Sequence, residues 1–138
     1  EESIELSVPK IPIRKLAEAI ATFEGFYKKH YRTVAQRNHN PGNLKYSKYQ
    51  SMRKEGFAYF SSDDLGWKAL LWDLSCKCQG KTRTRLGPES TVKDLIEVWA
   101  PPSDNNDTEA YIDFVVKRLG ITQNYKLKNF EFDLNNNC

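Results

Sequence analysis

The residue whose placement most suggests chemistry is Glu24. Apolar side chains at Ile13, Leu16, Ile20, Phe23 and Tyr27 recur at the three-and-four spacing of one helix face. At about 100° per residue, Glu24 projects close to Ile13 and Ile20 on that same face. A carboxylate there loses hydration, so desolvation raises its pKa, and the group suits a general acid that keeps its proton until a leaving oxygen takes it. A glutamate at a helix end, facing solvent or bonded to a backbone amide, fits the same spacing. The turn Asn38-His39-Asn40-Pro41-Gly42-Asn43 offers the amides of Asn38, Asn40 and Asn43, each able to donate to and accept from sugar hydroxyls and acetamido groups. The same residue types serve turns that need positive φ, so a structural role accounts for them as well. Tyr46, Tyr59, Trp67, Trp72, Trp99 and Tyr111 present flat apolar faces with polar tips, suited to stacking on sugar rings or to filling a core.

Other chemistries find little support. His30 and His39 are too isolated for a triad or a metal site, and no Gly-rich phosphate loop or Gly-x-Ser-x-Gly elbow is present. Cys76-Lys77-Cys78 lacks the Cys-x-x-Cys spacing of zinc and redox sites, so no metal and no cofactor is expected. Free thiols are the expected state of the three cysteines, with a bond from Cys138 to Cys76 or Cys78 as the alternative in an oxidising compartment. Lys77, Lys81, Arg83 and Arg85 form a basic cluster that could meet an anionic polymer but reads as a solvated loop.

The elements that must position these residues follow from pattern and punctuation. Helix one is expected from Ile13 to Tyr27. Leu44-Lys45-Tyr46 and Gly56-Phe57-Ala58-Tyr59-Phe60 are expected as the strands of a small hairpin. Ser61 with Asp64 resembles a capping box, opening a helix from about Asp63 to about Lys77. Thr91 with Asp94 opens a helix carrying Val92, Leu95, Ile96 and Trp99, which Pro101-Pro102 stops. Asp107 caps a last helix with Tyr111, Phe114, Val115 and Leu119 on one side, closed by Gly120. The tail from Asn129 is polar and is expected to fray or to pack as a short extension.

With 138 residues, the chain fits one mainly α domain with a minor β element. No apolar run reaches the ~18 residues of a membrane span, and the net charge of +3 is a mild excess. The start, Glu1-Glu2-Ser3-Ile4-Glu5, has neither the basic residues nor the apolar stretch of a secretory signal.

In order and spacing, Phe23-Glu24-Gly25-Phe26, Ala35 to Leu44 and Gly56 to Phe60 resemble lysozyme-like peptidoglycan-degrading domains of phages and bacteria. The likeness continues through Asp64 to Leu70, Thr91 to Ile96, Trp99-Ala100-Pro101-Pro102 and Asn106 to Tyr111. It spans residues 13–120, leaving 1–12 and 121–138 as extensions. The family is similar to soluble lytic transglycosylases and goose-type lysozymes. The resemblance implies an α+β lysozyme-like fold, with the hairpin beside an active-site cleft. It also implies a catalytic acid at Glu24, and Asn43 and Tyr111 beside it. Asn38, Asn40 and Tyr46 are further candidates for substrate contact. His39 and Trp99 depart from the family pattern, and residues 45–54 are more basic than usual.

The expected activity is cleavage of the β-1,4 bond between N-acetylmuramic acid and N-acetylglucosamine, with peptidoglycan as partner, no nucleic acid, a monomeric state and a site of action at the cell wall. Asp63, Asp64 and Asp107 could serve as a second carboxylate, but capping and the helix dipole already account for them. Glu24 alone is therefore expected to act as acid and then base, the muramic 6-hydroxyl attacking to leave a 1,6-anhydro sugar. The alternative is a non-catalytic wall-binding or virion structural module that retains the fold.

Overall fold

A computed structural model describes residues 8–30, 32–133 and 138. Among the described residues the architecture is mainly α with a few short strands. In chain order, the elements are β1 (Ile11–Pro12), α1 (Ile13–Phe23), α2 (Val34–Arg37), β2 (Met52–Lys54), β3 (Phe57–Tyr59), α3 (Asp63–Cys78), α4 (Val92–Trp99), α5 (Thr108–Leu119) and β4 (Phe130–Glu131). Among the described residues no helix is long and apolar enough to cross a membrane.

Helix α1 buries Ile13, Leu16, Ala17 and Ile20 against α3 and α5. Together with Leu70, Leu74, Leu95, Ile96, Tyr111 and Val115 they form the main core. Each such Leu or Ile contributes roughly 1.5–3 kcal/mol by leaving water. The helix ends four residues before the expected Tyr27. Gly25 adopts φ 86°, Gly25 N donates to Thr22 O at 3.1 Å, and Phe26 N donates to Ala21 O at 3.0 Å. This paired closure needs a left-handed residue that glycine supplies without a Cβ clash, and the apolar spacing, which continues past it, could not reveal it.

The hairpin also differs from expectation. Met52–Lys54, not Leu44–Tyr46, pairs antiparallel with Phe57–Tyr59. The Leu44 segment makes only one backbone bond to β3, Ala58 N to Leu44 O at 2.9 Å. Ser62 rather than Ser61 caps α3, accepting from Leu65 N at 3.2 Å. Thr91 and Asp94 form the reciprocal capping box of α4, and Asp107 caps α5 through Ala110 N.

The described segments around Ile11 and Phe130 belong to the core. β1 and β4 pair in parallel, Leu127 and Phe130 are buried, and Tyr125 Oη donates to Pro9 O at 2.6 Å. Cys138 is bonded to Cys76, with Cα atoms 4.9 Å apart across 62 residues of sequence, which corrects the expectation of free thiols. The reason is tertiary: β4 pairing brings the tail back to the end of α3, where Lys81 Nζ also donates to Cys138 O at 2.9 Å. Cys78 remains a thiol, and burial pushes its pKa up to about 12.

Candidate active site

The Asn-rich turn is set by close contact with α3. A Cβ at Gly66 would lie 1.9 Å from His39 O, and one at Gly42 would lie 2.5 Å from Leu70 Cδ1. Gly66 must therefore be glycine for the turn and the helix to approach each other, while at Gly42 the Leu70 side chain would have to move aside. Asn38 and Asn40 are fully buried. Asn40 Nδ2 donates to Leu44 O and Ala58 O, both at 2.9 Å, and Asn40 Oδ1 accepts from Leu44 N at 2.9 Å. Asn38 Nδ2 donates to Lys54 O at 2.8 Å. These two amides clamp the turn to the hairpin and have no surface to offer a ligand, which corrects their place among the substrate-contact candidates. Their work fixes Asn43, which sits at φ 51° and turns the other way.

Asn43 Nδ2 donates to Glu24 Oε1 at 3.3 Å, and Tyr111 Oη donates to Glu24 Oε2 at 2.8 Å. Residues from the end of α1, the turn and α5 thus meet at one carboxyl group. Glu24 is the residue on which α1 closes, its N–H donating to Ile20 O at 2.9 Å. Its pKa is raised, chiefly by desolvation on burial, against the opposing pull of the Tyr111 and Asn43 hydrogen bonds. Its place at a helix C-terminus, where the dipole disfavours anions, acts in the same direction as burial. Tyr111 is itself pushed well above the ordinary tyrosine range, first by burial and then by the adjacent Glu24 charge, so it stays a neutral donor. Phe23 stacks on its ring with centroids 4.0 Å apart.

The carboxyl opens into a cleft of about 620 Å³. Its lining includes Lys45, Tyr46 and Phe57, Asp73, Lys77 and Trp99, and Pro101, Asp104 and Asn106. Tyr46 is 67% exposed at the rim, with the Arg53 guanidinium 4.1 Å over its ring. Lys45 Nζ meets Asp104 Oδ2 at 2.8 Å, and Lys77 Nζ meets Asp73 Oδ2 at 2.5 Å. Both cations lining the cleft are therefore neutralised within it.

Of the other carboxylates considered, Asp63 pairs with His39 Nδ1 at 2.8 Å. Asp64 faces a separate concavity with Tyr27 and Trp67, and Asp107 is spent on capping. None lines the cleft. The two acids that do, Asp73 and Asp104, were missed. Asp73 had a legible signal in Lys77 four residues on, whereas Asp104 is brought in by a loop that nothing local predicts. Among the described residues no group of three His, Cys, Asp or Glu side chains could hold a metal. Comparison of the chain with family models, curated proteins and solved structures finds no match.

Proposed function

We propose that this chain is a lysozyme-like enzyme that cuts the glycan strands of peptidoglycan, at the β-1,4 bond between N-acetylmuramic acid and N-acetylglucosamine. The observation that carries the reading is a single carboxyl whose pKa burial raises, at the base of an open cleft, with both oxygens already engaged by neutral donors. The motif order that resembles lysozyme-like domains supports it independently.

In this reading Glu24 enters the cycle protonated and gives its proton to the glycosidic oxygen as the bond to the anomeric carbon breaks. The carboxylate formed is then stabilised by Tyr111 Oη and Asn43 Nδ2, the two bonds that favour the charged form. Both oppose desolvation only after the proton has left, so the same pocket suits both halves of the cycle. Asp73 and Asp104 are each held by a lysine, which leaves no unpaired carboxylate in the cleft lining to act as nucleophile. The muramic 6-hydroxyl therefore attacks the anomeric carbon, and Glu24 takes its proton, leaving a 1,6-anhydro end. Tyr46 and Trp99 supply ring faces for the sugars at the cleft wall.

The test is digestion of purified sacculi followed by mass analysis of the soluble fragments. Anhydro-muramic ends are expected. Fragments heavier by one water would keep Glu24 as acid but make the enzyme a hydrolase. Intact sacculi after prolonged incubation would favour a non-catalytic wall-binding module.

A further inference from the structure

Between Glu24 and Glu55 the chain carries eight Lys and Arg residues and no Asp or Glu, while the rest has thirteen cations against eighteen acids. The small net charge therefore conceals a strongly basic segment on an otherwise acidic protein. Folded, this segment runs from the end of α1 through α2 and the Asn-rich turn to β2, and Lys28, Lys29, Arg32, Lys48, Arg53 and Lys54 are all exposed. At its start, a cavity of about 390 Å³ is lined by Lys28, Lys29, His30 and Arg32, and the acid there, Asp63, is occupied by His39.

The basic surface is continuous with the cleft. The His39 ring meets Tyr59 edge-on at 5.8 Å, and Lys54 Nζ lies 5.4 Å from the Tyr59 centroid. Next to Lys54, Arg53 sits 4.1 Å over Tyr46, which lines the cleft holding Glu24. The guanidinium groups along this path are already tied down. Arg37 binds Glu55 through two bonds, Arg53 donates to the Lys45 and Gly56 carbonyls, and Arg32 donates to Gln36 O. Among the described residues no carboxylate makes an ion pair with Lys28, Lys29, Lys48 or Lys54; Lys48 Nζ lies 4.0 Å over the Trp72 ring, and Lys54 feels the charge of its neighbour Glu55. Ammonium groups of this kind are hydrated point charges that respond to charge density rather than to a planar forked acceptor. An exposed pair contributes only ~0–1 kcal/mol, so such a surface gains affinity only from a ligand that repeats its charge.

We propose that this face docks a phosphodiester polymer of the cell wall, a chain of polyol phosphates carried by the glycan, and so holds the protein beside the strand it cuts. The proposal rests on reading the cleft as a glycan-cleaving site. A phosphodiester chain carries one uncompensated negative charge per unit, whereas wall peptides offset their carboxylates with free amines. The polymer is thus the wall component whose charge density matches this lysine-rich face.

The test uses Glu24→Gln protein, so that binding is read without turnover. Co-sedimentation is measured with sacculi that carry polyol-phosphate chains, before and after hydrogen fluoride strips those chains. Stripping should lower the bound fraction at least tenfold, and raising salt from 50 to 200 mM should weaken binding to intact sacculi by roughly tenfold to a hundredfold. In the active background, Lys28→Glu/Lys29→Glu/Lys54→Glu should lose binding to intact sacculi yet digest stripped sacculi at the parent rate. Equal retention on intact and stripped sacculi would overturn the proposal, as would a triple variant that still binds intact sacculi normally. Tighter binding to duplex DNA than to the purified polymer would also overturn it and assign the face to nucleic acid. Binding without turnover in the parent protein would sink the catalytic reading alone, and turnover without polymer-dependent binding would sink the docking reading alone.

Discussion

Two concavities of this protein treat charge in opposite ways. In the cleft beside Glu24, both lysines are matched by aspartates, Lys45 by Asp104 and Lys77 by Asp73. In the cavity at the start of the basic segment, Lys28 and Lys29 stand without an ion pair among the described residues. The difference fits the two proposed roles. An unpaired ammonium near Glu24 would favour its ionised form and cancel the effect of burial, so a cleft that must keep a carboxyl protonated has to neutralise its own cations. A surface that recruits a polyanion has to leave them free.

The largest expected effect breaks the first half of this comparison. Glu24→Gln keeps the size of the side chain and removes the proton, and turnover of sacculi should fall roughly a hundredfold or more. The same variant should be more thermally stable than the parent at neutral pH. Because the folded-state pKa of Glu24 is raised above its unfolded value, the folded protein binds the extra proton across that window. Stability is then lost as pH rises through it. Glutamine has no such cost, so the gap in Tm should be absent at low pH and open as pH rises. Equal melting curves at every pH would mean that Glu24 is not desolvated.

Next in size is Tyr111→Phe, which deletes one donor to the carboxylate formed during the cycle. A hydrogen bond to a charged group contributes about 1.5–3 kcal/mol, so kcat should drop by roughly tenfold or more. The alkaline limb of the pH profile should move to higher pH, since the lost bond favoured ionisation. Asp73→Asn sharpens the comparison in the other direction. Leaving Lys77 unpaired should move that limb to lower pH while activity on the acid side changes only a few-fold, as measured by initial rates across pH. The smallest effect on rate is expected from Asn38→Ala. It removes a buried clamp that donates to Lys54 O and should cost about 1–3 kcal/mol of stability. Activity measured well below the melting temperature should be intact.

Glu24 was visible in sequence because periodicity is a local property and a carboxylate on an apolar stripe breaks it. Asn43 and Tyr111 were named by resemblance, and 87 residues separate Tyr111 from Glu24, a meeting that no local rule reports. Asn38 and Asn40 show the converse. The turn has three asparagines of the same chemistry, and only the direction each side chain takes, set by the Gly42 and Gly66 contacts with α3, separates clamp from site. Helix ends with Ser, Thr or Asp caps were legible at α4 and α5 because the capping bonds are themselves local. The short hairpin was displaced because the expected strand at Leu44–Tyr46 is apolar and aromatic for a different purpose, closing a small second core through Leu44 and facing the cleft through Tyr46. The Cys76–Cys138 bond and the β1–β4 pair depend on the return of the tail, and were invisible for the same reason as the Tyr111 contact.

The most direct test of the neutralised cleft is a carbon-13 NMR titration of the Glu24 carboxyl in the intact protein, assigned by its loss in Glu24→Gln. The predicted midpoint lies above the ordinary glutamate value of about 4.3, and falls when Asp73→Asn leaves Lys77 unpaired. A midpoint at or below that ordinary value in the parent protein would mean that Glu24 rests ionised, and would contradict its role as the acid.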